Sequence, residues 1–503
     1  MWKIYGKIRR NEESGKKMKV NKKVIQVLVP TACAALFAIL AMIKMDLSVW
    51  YDESYTAYLI QGNFGEIWNL TAVDVHPPMY YFALKVWSLV FGSSAVALRG
   101  MSIFWGVVAI FLAFYLIKRL FNMKTAGVAT LLMTLSPLFV RYAEEMRMYT
   151  MVLAIVLAAT LVMVVAIERT KKQKEGFEWT WLLYGVLLVI GMMTHYFVAM
   201  AWMAQLVYLI YYYRRKIWRR DIILGYVLAV GLFLPWLPNC LKQVVNVQGG
   251  FWVPEVSGTT LIDFVVESLT FKAEASWLHG WWAVLLGIIA VLLTVWGLKT
   301  WQKMTSGGFK DGLTLLICMT ILPPVLLVLI SLPPLQPMFV SRYVMYSGVM
   351  LWILIGVLAV NTEGLRKWLF GGVVVAVAVF GLVTVFTRWE NSEIRGIVAE
   401  ISADEEQGVV VAGTESIYYD AVFYSNDRMT VYGVEDFYTY SMGVFAPIKE
   451  YRVNLVSQLE DVPEAKNIWM IVDDEHGDKV EGYETVATIK TNEHIALKLQ
   501  KSE

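Results

Sequence analysis

Charge is scarce in this chain. Only 17% of its 503 residues are Asp, Glu, Lys or Arg, against about 25% in ordinary soluble domains. With 57% hydrophobic residues gathered in blocks, this excludes a single soluble globular protein. Cysteine is scarcer still: Cys33, Cys240 and Cys318 each lie in or beside an apolar run and form no spacing motif. A disulfide framework and a cysteine zinc site are thereby excluded. The five histidines are scattered, which argues against a His-rich metal cage. Internal repeats and low-complexity segments are absent from the sequence.

What is present is a series of apolar runs near twenty residues, the length that spans a bilayer core as a helix. Eleven are read as transmembrane helices: 24–43, 100–117, 125–140, 148–167, 180–194, 197–213, 222–239, 281–298, 313–332, 343–360 and 368–387. The first follows a tail, 1–23, with nine Lys/Arg, yet it is too long for a signal-peptide core and lacks a small-x-small site before "IKMDLS". It is read as an uncleaved span. A twelfth stretch, "MYYFALKVWSLVFG" at 79–92, is short and holds Lys85 in its middle. It is read as a helix along the membrane surface.

The distribution of cations tests this layout. With the N-terminus inside, the inner segments 1–23, 118–124, 168–179, 214–221, 299–312 and 361–367 hold 26 Lys/Arg, and the outer loops hold 8. Making 79–92 a full span would put "RRKIWRR" outside. The chosen orientation brings "YDES", "DVHPP", "RYAEEMRMY", "THY" and "PMFVSRY" to the outer face. The expected organisation is a cytoplasmic basic tail (1–23), a transmembrane domain (24–387) with a catalytic first outer loop (44–99), and an extracytoplasmic α/β domain (388–503).

In that last domain "GVVVAG" (408–413) and "IWMIVDD" (468–474) read as buried strands. Helical patterns lie near 391–405 and 445–457, and a strand pair near 482–489 and 494–499. Its βα turns carry no Gly-rich phosphate fingerprint, so a lid, scaffold or partner surface is expected there in place of a second catalytic domain; no nucleic-acid partner is expected for the chain.

The outer loops hold the candidate chemistry. Asp52 and Glu53 directly follow the first span and are flanked by Trp50, Tyr51 and Tyr55; adjacent acids are often only solvated, but an acid held against rings can be tuned for general-base work. In "DVHPP", Pro77 and Pro78 open a helix and fix Asp74 and His76. Asp52, Asp74 and His76 could activate an acceptor or hold a divalent ion, and both readings stay open. In "RYAEEMRMY", Glu144 and Arg147 face each other if the segment is helical, and Arg147 suits a phosphate. His195 sits between two short spans, and Arg342 with Tyr343 opens another, offering a second cation. A substrate with a phosphate at the surface and a lipid tail in the bilayer fits this set.

Taken in order, the acidic pair, "DVHPP" with its Tyr-rich helix, "ALRGMSIFWGVVAIFLAFYLIKRLF", "SPLFVRYAEEMRMY", "THYF", "PWLP" and "SRY" resemble the GT-C glycosyltransferases. The likeness is strongest to bacterial relatives of the protein O-mannosyltransferases (glycosyltransferase family 39), a group that includes lipid A aminoarabinose transferases. It is dense over 45–240, thinner to 345, and absent from the C-terminal domain. The resemblance implies a bacterial plasma-membrane enzyme that moves a sugar, with inversion, from a polyprenyl-phosphate donor to an envelope glycan, lipid or protein. It implies Asp52 as base, Glu53 as its support, and Asp74 and His76 as positioning groups. Arg147 and Arg342 are expected at the donor phosphate, with Tyr55, Glu144, His195 and Tyr343 also lining the substrate site. No cofactor is required, and a divalent metal stays open. A flippase for a lipid-linked sugar is the main alternative, although span interiors nearly free of charge speak against an ion-coupled carrier. A non-catalytic membrane scaffold is another.

Overall fold

The computed structural model describes residues 22–172, 176–248, 252–271, 302–304, 309–388, 393–403, 408–435, 454–463, 468–473, 480 and 482–501. Two parts follow one another: a bundle of apolar helices up to Thr387, then a sheet domain.

Six described helices are long and apolar enough to cross a membrane: Lys23–Met42, Ala95–Leu120, Tyr149–Lys172, Lys310–Leu329, Ser341–Asn361 and Leu365–Thr387. Two bent pairs, Met123–Thr134 with Pro137–Ala143 (59°) and Arg220–Phe233 with Leu237–Val247 (73°), bring the number to eight if each counts as one span. Thr180–Thr194 and Val198–Tyr213 are apolar but shorter. The eleven-span expectation treated 125–140 and 222–239 as straight runs. Hydropathy does not register the breaks at Ser136–Pro137, where proline opens a new helix, or near Trp236, which lies between two helices. The expected span 281–298 lies outside the described residues. The protein is a multi-pass membrane protein whose bundle turns apolar side chains such as Ile39, Val230, Val375 and Val383 outward.

Tyr149–Lys172 is the axle, buried over most of its length and packed on Ala95–Leu120 and Thr180–Thr194. Lipid tails are as apolar as leucine, so helices associate here by close packing at small residues. Gly356 leaves room for Ala129, and Gly185 faces Gly225 so tightly that a Cβ would overlap its carbonyl oxygen. Lys118, Arg119, Arg169, Lys171 and Lys172 fall in the last turns of two neighbouring helices, and Arg119 bridges Glu168 between them at 2.7 Å. This basic end lies opposite the end where the candidate residues gather.

At that other end three short helices precede Ala95–Leu120: Tyr51–Leu59, Phe64–Val73 and Met79–Phe91. Asn63 caps the second, accepting from Gly65 and Glu66 N–H, and Glu66 reaches back to the Asn63 N–H at 2.6 Å. Pro78 occupies the N-cap of the third. That helix buries Tyr80, Tyr81 and Leu84 and leaves Val86, Leu89, Val90 and Phe91 exposed.

The C-terminal part has six strands: β1 (Gly408–Ala412), β2 (Met429–Val434), β3 (Leu455–Val456), β4 (Ile468–Asp473), β5 (Tyr483–Lys490) and β6 (His494–Lys501). They lie in the order β3-β2-β1-β4-β6-β5. β1 pairs in parallel with β2 and β4, and β6 runs antiparallel between β4 and β5. Central β1 and β4 are the near-continuous apolar runs that a doubly covered sheet requires. Helices Ile394–Ala403 and Glu415–Tyr424 join them. The helix expected at 445–457 falls largely outside the described residues, and within its end Leu455–Val456 is a strand. Helix Glu415–Tyr424 and strand β2 were not read from the sequence.

Candidate active site

Helix Tyr51–Leu59 begins directly after extended Trp50. Its two acids part company at once. The Glu53 carboxylate is fully buried and filled: Arg99 donates to it through Nε at 2.8 Å and Nη2 at 2.5 Å. The Met146 N–H adds a bond at 2.9 Å and the Trp50 N–H one at 3.4 Å. Arg99 spends its other donors on the carbonyls of Met45, Leu47 and Ser48, at 2.8, 2.6 and 3.0 Å. A carboxylate so occupied is an anchor for the chain around it and has no lone pair to offer an acceptor. Arg99 escaped the reading of the motifs, yet its position was a signal: a cation at the head of a long apolar helix needs a partner.

Asp52 points elsewhere and is 21% exposed. Its Oδ2 lies 3.7 Å from Arg147 Nη2 and 3.8 Å from Arg342 Nη2. These distances are looser than a direct charged hydrogen bond of about 2.7–2.9 Å, so both guanidinium groups face the carboxylate without closing on it. Arg147 is buried and fixed by its Nη1, which donates to the Asp52 carbonyl at 3.2 Å and Thr56 Oγ1 at 3.0 Å. Burial works against its charge, but Asp52 and the surrounding tyrosines outweigh that and hold its pKa well above the ordinary arginine range. Arg342 stacks over Trp50, Trp252 and Tyr343, 5.4–6.0 Å from the ring centroids.

The segment from Glu144 to Met148 is not helical, so Glu144 and Arg147 do not pair. Glu144 turns to Arg388 at 2.6 Å, at the junction with the sheet domain. Glu145 takes Arg141 at 2.6 Å, and burial nonetheless pushes its carboxyl upward. The Ser102 hydroxyl pins this segment by donating to the Glu145 carbonyl at 2.5 Å.

Asp74 caps the end of Phe64–Val73, and His76 Nδ1 lies 3.4 Å from its carboxylate. The His76 and His195 rings are 5.9 Å apart, with Tyr343 a further 5.2 Å from His195. Burial, with His76, Arg147 and Arg342 nearby, pushes His195 well below the ordinary imidazole range. Tyr81 joins the groups: Arg147, Asp74 and Asp52 all lie within electrostatic reach of it. The hydroxyls of Tyr55, Tyr80, Tyr81 and Tyr149, and Nδ1 of His195, are buried without a hydrogen-bond partner among the described residues.

Three His, Cys, Asp or Glu side chains do not gather at metal-binding spacing among the described residues. Asp74 and His76 form a pair, and Asp52, the third metal candidate, faces Arg147 and Arg342. Beside the site, His76, His195, Tyr196, Phe197, Met200 and Tyr343 line a largely apolar cavity of about 260 Å³. The cavity and the arginine pair therefore adjoin at Tyr343 and Arg342.

Comparison with known proteins bears on the fold. A family model described as dolichyl-phosphate-mannose-protein mannosyltransferase matches residues 75–238. Among solved structures, ArnT from Cupriavidus metallidurans bound to undecaprenyl phosphate superposes with a TM-score of 0.62 at 13% identity, covering 94% of this chain and 97% of that one. Its apo state gives 0.60 at 12% identity with the same coverage, 94% and 97%. The Archaeoglobus fulgidus oligosaccharyltransferase, tethered with an acceptor peptide containing the NVT sequon, gives 0.52 at 11% identity over 90% of this chain and 69% of that one. No curated protein matches the chain significantly in sequence. At such identities the likeness is one of fold: the chain has the GT-C fold of membrane glycosyltransferases.

Proposed function

We propose that the protein is an inverting glycosyltransferase. It moves a sugar from a polyprenyl-phosphate donor to an envelope acceptor at the extracytoplasmic face of a bacterial plasma membrane. One observation carries the reading: a half-open carboxylate, Asp52, stands between two arginines that adjoin an apolar cavity. The cavity suits the first prenyl units of a lipid, and Arg147 and Arg342 suit its phosphate. The solved relatives agree in kind, since one is bound to undecaprenyl phosphate and another is tethered with an acceptor peptide.

In the reaction the acceptor O–H or N–H attacks the anomeric carbon from the face opposite the phosphate. The bond from that carbon to the phosphate oxygen breaks, and its electron pair leaves with the polyprenyl phosphate. Arg147 and Arg342 stabilise the charge that grows there. Asp52 takes the acceptor proton. With one base and no enzyme nucleophile, the anomeric configuration inverts. Both arginines lean on Asp52 at 3.7–3.8 Å; a phosphate drawing them away frees the carboxylate when the donor is seated. Glu53 and Arg99 support this helix, His195 and Tyr343 border the lipid cavity, and Asp74, His76 and Tyr55 shape the floor. Glu144 belongs to the domain junction.

Sugar transfer in proteoliposomes from a panel of radiolabelled polyprenyl-phosphate sugars, with host membrane extract as acceptor, tests the proposal. A labelled product that disappears in Asp52→Asn supports it. Movement of the lipid-linked sugar across the bilayer without transfer makes the protein a flippase.

A further inference from the structure

The helix that carries Asp52 is only nine residues long. Helices shorter than about 12–15 residues are marginal by themselves, so its placement comes from what packs on it. On one side Arg99 grips Glu53. On the other, helix Glu415–Tyr424 of the sheet domain lies against it. Tyr419 is the centre of that contact and is fully buried. Its ring meets Tyr51 at 6.1 Å, Tyr55 at 5.2 Å and Tyr58 at 5.1 Å, the last two edge-on. Residues 51, 55 and 58 share one face of the helix, so Tyr419 reads that face along its whole length.

The contact is braced at its ends. The Tyr424 hydroxyl accepts the Val49 N–H at 2.7 Å, just before the helix begins. Arg388 holds Glu144, Lys44 donates to the Arg388 carbonyl at 3.0 Å, and Arg395 reaches Asp46. Helix Glu415–Tyr424 is itself seated on β1 and β2 and capped by Thr414. The sheet therefore fixes Tyr419, and Tyr419 fixes the helix.

We propose that Tyr419 is a positioning residue of the transferase: with Arg99 it clamps helix Tyr51–Leu59 from two sides and sets the Asp52 carboxylate between Arg147 and Arg342. The proposal rests on the catalytic reading of Asp52 given above. It gives the C-terminal domain a part in the reaction, although none of the groups assigned to the reaction above comes from it. Asp52 follows Tyr51 directly, so a helix released from Tyr419 shifts or rolls the carboxylate relative to both arginines. A misplacement of about 1 Å costs on the order of a hundredfold in rate.

The test is transfer kinetics in proteoliposomes with the full chain, comparing wild type, Tyr419→Phe, Tyr419→Leu, Tyr419→Ala and Asp52→Asn. Tyr419→Leu and Tyr419→Ala are expected to lose roughly ten- to a hundredfold in kcat while the donor KM stays within about twofold, and Tyr419→Phe, which keeps the ring contacts, to lose clearly less. Should Tyr419→Ala fail to fold, Tyr419→Leu, which refills the space, decides the matter. Wild-type kcat in Tyr419→Leu overturns the proposal, as does a loss in Tyr419→Phe as large as that in Tyr419→Leu. Turnover that vanishes in Asp52→Asn but survives Tyr419→Leu overturns the positioning role alone. No turnover in wild type with any donor overturns the transferase reading and the positioning role with it.

Discussion

Replacing Arg99 by methionine tests the anchor beneath the site. Arg99 is 2% exposed and Glu53 0%, so their two bonds join charges removed from water. Removing one partner strands the other, which costs about 3–5 kcal/mol, whereas removing both is often close to neutral. Arg99→Met also deprives the Met45, Leu47 and Ser48 carbonyls of their donor, so the upper end of that range is expected. Glu53→Gln keeps the shape and strands the guanidinium instead. The double variant should regain much of the loss, giving a coupling of about 2–3 kcal/mol in a mutant cycle. Unfolding midpoints of the detergent-solubilised protein, read beside transfer rates, supply the four corners. An unchanged midpoint in Arg99→Met, or single effects that simply add, would refute the reasoning that this pair holds the first loop in place.

Three further outcomes are expected. Met200→Trp narrows the apolar cavity; in transfer kinetics it should raise KM for long-chain donors well above its effect on a short-chain analogue. Gly185→Ala sets a Cβ against the Gly225 carbonyl and should cost about 1–3 kcal/mol by overpacking, read as a lower unfolding midpoint, while Gly231→Ala, with open space around it, should leave the midpoint in place. His195 is held neutral in the folded protein because burial depresses its pKa. Its contribution to stability is therefore whole above about pH 6.5 and shrinks as the pH falls below, where the unfolded chain takes up the proton. His195→Gln should flatten the fall in unfolding midpoint between about pH 7 and pH 5.

Local chemistry was legible in the sequence, and long-range pairing was not. The helix at Thr180–Thr194 and strands β1 and β4 announce themselves through apolar runs of the right length. Asp52, Arg147 and Arg342, read from separate motifs, meet in one place. Glu144 misled because its neighbour in sequence, Arg147, carries the right charge, while its actual partner, Arg388, is 244 residues away. Arg99 read as one of a few outer cations because nothing local shows that Glu53 and three carbonyls converge on it. Tyr419 gave no signal at all: an aromatic in a short helix buried on more than one face is ordinary core until the first loop is placed against it.

The sheet has an order of assembly built into it. β6 is the last of the six strands in sequence but lies inside the sheet, between β4 and β5. During synthesis, helix Tyr51–Leu59 emerges early, and helix Glu415–Tyr424, which clamps it, begins more than 350 residues later. At about 5–20 residues per second that interval is roughly 20–70 s. Only in its last part, once Arg342 and Tyr343 have been made, can the bundle hold the apolar cavity and both arginines while the helix that carries Asp52 lacks one of its two supports. If Tyr419 positions Asp52 as proposed, a chain that ends before helix Glu415–Tyr424 should transfer sugar roughly ten- to a hundredfold more slowly than the whole chain.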